Sequence, residues 1–455
     1  MKKEKKYKEP LELDKPVVED NLIAYQRNLF RQDSFFEQRN EDNLKFQPSF
    51  SKLRIGTLFS GIGAFEEALK QLQIPHELKF ACDNGEIEFI PFENREIRKE
   101  YKDLCRRHRR LDDIELFRYN FLSGEMNRII DSIRQKCYTL KNNAERTKYI
   151  NSLYARFSPL NSHNYVKDSY LANYNLLEEN FHTDVRFIKG DEYLHQIDIM
   201  VGGSPCQSFS TYGNKMGLED TRGTLFYDYA RIIKECQPKI FIYENVAGLI
   251  NHDKKRTWAI MNQVWESLGY VIRFQILNAK DYNHPQLRRR LFLIGFRKDV
   301  YTKEYVFPKT MKLTKTSHQF MEQSPVDDKY YLPEKGFKWV TDPSRNDRKA
   351  RVNQDITGCQ TAVQQDNWSG DLRVERPQPH HYTDDRIYIG QYDFGNGLED
   401  AVARKMTPRE CLRLMGFSDD FQIVVPDKIA YRQSGNSIVV PVLKEIIKTL
   451  LPYLD

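Results

Sequence analysis

The sequence has no long apolar run and few cysteines, and these absences exclude several classes of protein. Its best apolar stretches, residues 197–201 and 438–443, have the length of a strand, well short of the roughly 18 residues of a membrane-spanning helix. The seven cysteines are odd in number and form no Cys-x-x-Cys pair, which argues against a disulfide framework and against a zinc site. No apolar segment follows the charged N-terminus, so no secretory signal is visible. We therefore expect a soluble cytoplasmic protein with free thiols, no metal and no membrane partner.

Neither sign of charge dominates, since 70 Lys and Arg residues face 64 Asp and Glu residues and the formal net charge is +6. This mild excess is compatible with nucleic-acid binding but does not identify it. Hydrophobic residues make up 40% of the chain, which is enough for a sizeable core and excludes a wholly disordered protein. The length of 455 residues predicts two or three domains.

Strands and helices alternate from residue 53 onward, after a polar extension over residues 1–52 with one candidate helix at 22–31. Short apolar runs predict strands, and apolar residues at helical spacing predict helices. The predicted strands span 53–59, 79–82, 197–201, 240–243, 271–277 and 291–296, and the predicted helices 64–72, 225–236 and 258–268. This alternation is typical of a parallel, doubly wound sheet and places the chain in the α/β class.

Two stretches interrupt the alternation. Residues 95–180 are charged and predict a helical insert, because Met126, Ile129, Ile130, Ile133, Cys137 and Leu140 recur at helical spacing. Residues 298–403 are irregular and show little periodicity, and Thr407-Pro408 then carries a helix start signal. We therefore expect a domain over 53–297 that contains the insert at about 95–180, a second domain over 298–403, and a C-terminal segment over 404–455.

A glycine-containing loop, Thr57 to Phe65, follows the first predicted strand and opens the first predicted helix. Glycines let a backbone approach a ligand closely, and a helix N-terminus favours a carboxylate or a phosphate. A tight turn without a ligand fits the same pattern. Asp83, at the end of the second strand, is placed to accept hydrogen bonds from ribose hydroxyls. Because the full Gly-x-Gly-x-x-Gly fingerprint is missing, a nucleoside with an amino-acid tail, such as S-adenosylmethionine, suits the loop better than a dinucleotide.

Reactive side chains also follow later strands. Cys206 lies among Gly, Ser and Pro after the strand at 197–201, so it is either an accessible nucleophile or, as for most lone cysteines, an inert small residue. Glu244 follows the strand at 240–243 and either caps the next segment or reaches the ligand edge of the sheet. Arg288 and Arg290 precede the last strand and face the same side by alternation, although a solvated charge run fits an isolated triplet.

Together these side chains suit methylation of carbon 5 of cytosine. A thiolate that adds at carbon 6 makes carbon 5 nucleophilic. A carboxylic acid hydrogen-bonded to ring nitrogen 3 stabilises the addition, and an arginine can hold the carbonyl oxygen of the base. Carbon 5 then takes the methyl group of a sulfonium donor and loses its proton, and the thiol is expelled. Because this carbon is unreachable inside a duplex, the base must be flipped out.

The sequence resembles the DNA cytosine-5 methyltransferases of the bacterial restriction-modification type. Motifs occur in the order of that family: Leu58-Phe-Ser-Gly-Ile-Gly-Ala-Phe65, Gly203-Ser-Pro-Cys-Gln207, Glu244-Asn-Val246, Gln286-x-Arg288-x-Arg290, Thr407-Pro-Arg-Glu-Cys-Leu-Arg-Leu-Met-Gly-Phe417 and Gln433-Ser-Gly-Asn-Ser437. The likeness covers roughly residues 53–95, 183–297 and 404–452. It implies a Rossmann-like S-adenosylmethionine-dependent fold, a smaller irregular target-recognition domain at 298–403, and a C-terminal segment that returns to the first domain.

The resemblance also implies a role for each matching position. The catalytic positions are Cys206 as nucleophile, Glu244 as the ligand of the flipped cytosine, and Arg288 and Arg290 as assisting cations. The positions for S-adenosylmethionine are Phe59 on the adenine, Gly61, Ile62 and Gly63 beside the methionine part, Asp83 at the ribose, Asp191 at the adenine amino group, and Asn436 and Ser437 over the methionine end, with Ser60, Asn84 and Glu192 as further cofactor-binding positions. The positions for DNA are Ser204, Pro205, Gln207, Asn245 and Thr361.

Some positions depart from the family pattern. Ser204 stands where the family usually has Pro or Phe, Asp83 replaces the commoner Glu, and Asn84 replaces an apolar or aromatic residue. The insert at 95–180 is far longer than the family norm. It is either a helical elaboration of the surface or an additional surface for DNA or a partner.

The target and partners follow from the same resemblance. In the region 298–403, Arg can pair with guanine and Asn or Gln with adenine, although ordinary solvated loops also fit its polar residues. We expect a monomer that binds double-stranded DNA, associates with the nucleoid through that DNA, and protects it from a cognate restriction endonuclease or marks it epigenetically. The alternatives are a transfer-RNA cytosine-5 methyltransferase and a catalytically inactive DNA-binding module.

Overall fold

The computed structural model describes residues 52–107, 110–158, 163–204, 225–323, 325–344, 350–384 and 386–454. The predicted helix at 22–31, the rest of the N-terminal extension, and Pro205, Cys206 and Gln207 lie outside these ranges. No helix within them combines the length and the apolarity that crossing a bilayer requires.

A seven-stranded sheet forms the centre of the described chain. Its strands are β1 (Leu53–Leu58), β2 (His76–Cys82), β3 (Phe181–His182), β4 (Ile199–Gly202), β5 (Ile240–Val246), β6 (Tyr270–Asn278) and β7 (Arg289–Arg297), in the order β3-β2-β1-β4-β5-β7-β6. The α/β prediction is confirmed, but the prediction of a wholly parallel sheet was wrong, because β7 runs antiparallel to both β5 and β6. Since only residues 279–288 join β6 to β7, the connection is too short for the crossover that a parallel pair needs.

Helices cover both faces of this sheet. The helices of the described residues are, in chain order, α1 (Ala64–Gln71), α2 (Arg95–Arg107), α3 (Asp113–Thr139), α4 (Asn143–Phe157), α5 (Tyr165–Asn173), α6 (Leu225–Cys236), α7 (Arg256–Ser267), α8 (Glu334–Thr341), α9 (Pro408–Arg413), α10 (Asp427–Asn436) and α11 (Val440–Leu450), of which α1, α6, α7 and α11 pack directly on the strands of this sheet. Alternate residues of each buried strand enter opposite cores. In β5, Ile240 and Ile242 pack with α1 and α11, whereas Phe241 and Tyr243 pack with α6 and α7. The helix of the C-terminal segment therefore shares a core with the first helix.

The helical insert has a core of its own. Helices α2, α3 and α4 bury a cluster that contains Met126, Ile130, Ile133 and Cys137, which are four of the residues that predicted a helix. Helix α5 behaves differently, because its Tyr170 packs with Phe181 of β3 and Ala81 of β2. The segment treated as one insert in the sequence thus consists of a separate helical layer and one helix that belongs to the sheet.

The region 298–403, which shows little periodicity, contains most of a small second sheet. Its strands are β8 (Ala350–Val352), β9 (Gly370–Glu375), β10 (Gly390–Asp393) and β11 (Leu398–Lys405), in the order β10-β11-β9-β8. Helix α8 covers one side of it and packs Phe337 and Val340 against Leu372 and Val374.

Candidate active site

The carboxyl ends of four parallel strands meet at one edge of the large sheet. Leu58 of β1 lies beside Cys82 of β2 and Gly202 of β4, and Gly202 lies beside Tyr243 of β5. The strand order changes direction between β1 and β4, and ligands of open α/β sheets bind at such a switch point. The fold therefore brings the segments after these strands, which hold most of the predicted site residues, to a single place.

The glycine loop after β1 leaves the ordinary backbone conformations. Phe59, Gly61 and Gly63 all have positive φ angles, of 53°, 52° and 79°. For a bulky residue such as Phe59 this conformation is strained, and strain of this kind is concentrated at ligand sites. A side chain at Gly61 would meet nothing within 4 Å, whereas one at Gly63 would overlap the ring of Tyr174. One glycine therefore borders open space and the other lets an aromatic side chain approach.

Asp83 holds the glycine loop through its carboxylate. Oδ2 accepts a hydrogen bond from Gly61 N at 2.9 Å, and Oδ1 accepts one from Gly85 N at 2.8 Å. Burial raises the pKa of Asp83, and the two backbone donors oppose that rise. Ser60 ties the same two strands together, because its Oγ accepts from Cys82 N at 2.9 Å. The predicted ribose ligand and the predicted methionine loop are therefore in direct contact.

The C-terminal motif reaches the same loops. Asn436 donates from Nδ2 to Glu86 Oε1 at 2.5 Å, and Arg432 lies 3.3 Å from Glu86 Oε2. Asn84 Oδ1 accepts a hydrogen bond from Glu86 N, and Asn84 Nδ2 donates one to Ile87 O, so this side-chain amide orders the turn. Glu86 was missed in the sequence, which contains no signal for a contact with Asn436, 350 positions away. Ser437 is buried, and its carbonyl accepts from Arg288.

Two predicted cofactor residues have surroundings that the sequence did not indicate. The side chain of Ile62 is buried in the core shared with α1 and α11, so only its backbone faces the loop. The carboxylate of Glu192 is paired with Arg146 of α4 and lies 3.5 Å from Lys189. Asp191, in contrast, is exposed. For Ile62 and Glu192 the side-chain contacts point to packing within the protein rather than to a ligand.

Glu244 and Arg290 form an ion pair at the end of β5. Arg290 Nε lies 3.2 Å from Glu244 Oε1, and the two side chains are only 18% and 15% exposed. Burial raises the pKa of Glu244, while Arg290 and then Arg288 act in the opposite direction. Gly203 lets the chain after β4 approach the Glu244 backbone closely, because a side chain there would overlap the Glu244 carbonyl oxygen. The arrangement favours a carboxyl group that keeps its proton to a higher pH than a solvated one.

Asn245 fixes the chain that leads towards Cys206. Its Nδ2 donates to Ser204 O and to the Tyr243 hydroxyl, at 3.0 Å each, and Val246 N donates to its Oδ1. Ser204 Oγ is hydrogen-bonded to the Tyr243 hydroxyl at 2.7 Å. Both residues were predicted to contact DNA, and both are buried. Their contacts indicate that they orient the start of the segment that holds Pro205, Cys206 and Gln207.

Arg288 joins three segments that are far apart in the sequence. Its Nη1 donates to Gln360 O at 2.6 Å, and its Nη2 donates to Gly435 O at 3.0 Å and to Ser437 O at 2.7 Å. The side chain is buried, and burial lowers its pKa to about 10. The predicted shared facing of Arg288 and Arg290 agrees with the structure, in which both guanidinium groups contact Cys359 Sγ while Arg289 is exposed. Arg288, predicted to be catalytic, thus contacts backbone carbonyls and a thiol.

Thr361 lies beside the C-terminal motif. A side chain at Gly435 would overlap the backbone of Thr361, so the glycine permits this close approach. The Thr361 side chain itself is exposed. Gln286, which the sequence motif contains but which received no role, donates to Leu414 O at 2.7 Å and thereby links the Arg288 segment to α9.

The residues present fit a nucleoside with an amino-acid tail. The loop offers open backbone at Gly61, a half-buried aromatic ring at Phe59 and a carboxylate at Asp83, and Asn436 lies across the same turn. The neighbouring Glu244–Arg290 pair offers a carboxyl group and a cation side by side to a ligand bound next to it. The arrangement therefore brings an open backbone loop and a carboxyl group to the same edge of the sheet.

Comparisons with known proteins agree with this geometry. The family model of the C-5 cytosine-specific DNA methylases matches residues 158–451. The Type II methyltransferase M.SsoII of Shigella sonnei is 38% identical over 260 residues, which span 57% of this chain and 65% of that protein, just under two thirds. The Type II methyltransferase M.HpaII of Haemophilus parainfluenzae is 36% identical over 265 residues, 56% of this chain and 72% of its own.

Among solved structures, S. pombe Dnmt2 methyltransferase superposes with a TM-score of 0.51 over 88% of this chain and 98% of its own. With 17% identity, this likeness shows the fold alone. The family match begins at residue 158, so it includes α5 and leaves out α2, α3 and α4.

Proposed function

The chain belongs to the C-5 cytosine-specific DNA methylases, and we propose that it methylates a flipped-out cytosine in one short sequence of duplex DNA through a covalent adduct of Cys206. Membership of the family implies DNA as substrate and S-adenosylmethionine as cofactor. The observation that carries the proposal is the partly buried Glu244–Arg290 pair beside Gly203, three residues before Cys206.

The cofactor cleft consists of the loops after β1 and β2. We assign Phe59 to the adenine ring, the backbone of Gly61 to the methionine part, Asp83 to the ribose, Asp191 to the adenine amino group and Asn436 to the methionine end. S-adenosylmethionine, when bound there, supplies an electrophilic methyl group on a sulfonium. Asp83 is held by two backbone N–H groups, which fixes the carboxylate before the ligand arrives.

The chemistry on the base is carried by three side chains. The Cys206 thiolate forms a bond from sulfur to carbon 6, and the electron pair moves towards ring nitrogen 3. In its protonated form, which burial favours by raising its pKa, Glu244 donates a hydrogen bond to that nitrogen. Arg290 orients Glu244 and holds the carbonyl oxygen of the base. Carbon 5 takes the methyl group, with S-adenosylhomocysteine as the product left behind. It then loses its proton to a general base, and the bond between sulfur and carbon 6 breaks as the ring regains its double bond.

The region 298–403 recognises the target sequence. The surroundings of its arginine and glutamine side chains indicate which of them are available to contact DNA. Arg351 and Arg376 are each bound bidentately, to Asp371 and to Glu399. Arg373 is different, since its Nε and Nη1 are buried and lack a hydrogen-bond partner among the described residues. Gln364 is buried and donates to Ser434 Oγ at 2.8 Å, so it braces α10 instead of facing DNA. Of these arginines, Arg373 is the one we assign to DNA.

The biological setting follows from the relatives. Because M.SsoII and M.HpaII are Type II methyltransferases, we place this chain in a restriction-modification system with a cognate endonuclease. We propose that it acts as a monomer in the cytoplasm, on DNA of the nucleoid.

The test is base-resolution sequencing of cytosine methylation on plasmid DNA incubated with the purified protein and S-adenosylmethionine. We expect methylation confined to one short sequence, and none with Cys206→Ala, which should still bind DNA. Methylation by Cys206→Ala would overturn the assignment of the nucleophile. Methylation of transfer RNA but not of plasmid DNA would overturn the assignment of the substrate.

A further inference from the structure

Helix α5 contacts every segment that we assign to the methionine and ribose parts of the cofactor. The contacts come from the two ends and one face of a helix of nine residues, Tyr165–Asn173, which the sequence placed within an insert of unassigned role. None of its side chains belongs to the motifs that carry the family resemblance.

The first end of the helix holds the loop after β2. Asn164, the N-cap of α5, accepts from Lys167 N at 3.0 Å and donates from Nδ2 to Asp83 O at 2.8 Å. A side chain at Gly85 would overlap Asn164, so the absence of a Cβ there lets the amide reach the loop. One asparagine therefore caps the helix with its oxygen and fixes the backbone of Asp83 with its nitrogen.

The second end of the helix holds the glycine loop. Tyr174, the C-cap of α5, donates from its hydroxyl to Gly63 O at 2.7 Å, and its ring occupies the space that a side chain at Gly63 would fill. Tyr170, one turn earlier, donates to the buried Glu66 in the first turn of α1. The backbone of the glycine loop is thus supported from the side that faces away from the open space at Gly61.

The same helix is tied to the C-terminal motif. Ser169 donates to Gln433 Oε1 at 2.9 Å, and Gln433 Nε2 donates to Tyr165 O at 3.0 Å. Gln433 lies on α10, three residues before Asn436. The glycine loop, the Asp83 loop and the C-terminal motif come from residues 59–63, 83–86 and 433–437, and α5 fixes all three relative to one another.

We propose that α5 is a positioning helix for S-adenosylmethionine, and that Asn164 and Tyr174 set the affinity for this cofactor without touching it. The inference rests on the proposed function, because it assumes that these loops bind S-adenosylmethionine. Loops whose backbone is fixed in advance lose little freedom when they bind a ligand, and preorganisation of this kind increases affinity. Removal of either support should therefore weaken cofactor binding more than it slows methyl transfer at saturating cofactor.

Matched variants separate positioning from general stability. Asn164→Ser keeps an oxygen that can cap the helix but is too short to reach Asp83 O, and Asn142→Ser makes the same change at the N-cap of α4, which is part of the separate helical layer. Tyr174→Phe removes only the hydroxyl. Tyr154→Phe removes a comparable hydroxyl, which donates to the Asp184 carboxylate at 2.8 Å and not to the glycine loop, the Asp83 loop or the C-terminal motif.

The measurements are the Kd for S-adenosylmethionine by calorimetry without DNA, the KM for cofactor and for DNA, kcat, and Tm. We expect Asn164→Ser and Tyr174→Phe each to raise Kd and KM for the cofactor about 3- to 10-fold, the loss of about one hydrogen bond, with kcat and the KM for DNA within about twofold. Asn142→Ser and Tyr154→Phe should shift Tm by a similar amount and leave the Kd unchanged.

The outcomes distinguish a failure of the proposed function from a failure of the positioning role of α5. If the wild-type chain binds no S-adenosylmethionine, the proposed function fails. If it binds, and the Asn164 and Tyr174 variants bind equally well or lose affinity only in step with the Asn142 and Tyr154 controls, the positioning role of α5 is overturned.

Discussion

Charged side chains at the edge of the seven-stranded sheet and an ion pair at the surface of the four-stranded sheet lie in opposite surroundings. At the edge of the seven-stranded sheet, Glu244 and Arg288 are largely withdrawn from water and held by a few short contacts. On the four-stranded sheet, Arg376 and Glu399 form a bidentate pair in which both side chains are at least one-third exposed. Buried groups feel their neighbours strongly, whereas exposed pairs are screened by water. A change of charge at Glu244 or Arg288 should therefore have a large effect, whereas one in the Arg376–Glu399 pair should cost the fold little.

The largest contrast is expected in the rate of methyl transfer when Glu244 and Glu399 are each replaced. Glu244→Gln should lower the single-turnover rate of methyl transfer by about 10²–10⁴, because an amide cannot act as the acid at ring nitrogen 3. Binding of S-adenosylmethionine should stay within about threefold, since Glu244 is not among the residues assigned to the cofactor. Glu399→Gln, the control on the small sheet, should leave the rate within about threefold. Equal rates for Glu244→Gln and the wild type would remove Glu244 from the mechanism.

Folding stability should show the same contrast between two arginines. Arg288→Met leaves three buried carbonyl groups without their donor, and we expect a loss of about 3–5 kcal/mol in the free energy of unfolding. Arg376→Met breaks an exposed pair and should cost less than about 1 kcal/mol. Urea denaturation of both variants measures the difference. A change below about 1 kcal/mol for Arg288→Met would show that Arg288 does not hold these segments together.

The composition of the strands explains why the sequence predicted the large sheet but not the small one. Strands β1, β4 and β5 are buried on both faces, so they appear as apolar runs, and the predicted helix 225–236 has the bounds of α6. Strand β3 has only two residues, too few for any periodicity. The small sheet was missed because polar and charged residues occupy much of its strands, and paired charges such as Arg351 and Asp371 stabilise it where an apolar run would otherwise be visible.

The motif residues of the site were identifiable, but not what each side chain contacts. Arg288 was assigned a catalytic role from its motif, yet its partners are carbonyls of residues 360, 435 and 437, which no local pattern reveals. Asn164 and Tyr174 lie in a charged helical stretch, and their contacts with Asp83 and Gly63 depend on the fold bringing distant segments together. Cys206 is outside the described residues, and its role stays a prediction from the motif.

The pH dependence of the reaction tests the Glu244–Arg290 pair directly. Burial raises the pKa of Glu244, and the cation of Arg290 opposes that rise. Removing this cation in Arg290→Ala should therefore raise the pKa of Glu244 further, so that the protonated acid persists to higher pH. We expect a lower maximal rate and an alkaline limb of the single-turnover profile displaced upward, while Arg289→Ala, at the exposed neighbouring position, leaves the limb unmoved. A downward displacement would contradict the assigned role of Arg290.

The smallest effect is expected on the four-stranded sheet, where Arg373 and Arg376 have the same chemistry but different surroundings. Arg376 is paired with Glu399, whereas two nitrogens of Arg373 lack a hydrogen-bond partner among the described residues, and burial lowers the pKa of Arg373. A guanidinium with two such nitrogens is suited to a phosphate or to the acceptor edge of guanine, in a region that we propose reads the target.

We expect Arg373→Gln to weaken DNA binding about 5- to 20-fold and Arg376→Gln to change it less than about twofold. The salt dependence and the methylated sequence identify the contact. A phosphate contact should weaken all sequences alike and reduce the salt slope by about one. A guanine contact should instead relax the target at one position. Equal effects of the two variants would mean that the lack of a partner at Arg373 has no bearing on DNA binding, and the assignment of Arg373 to DNA would fail.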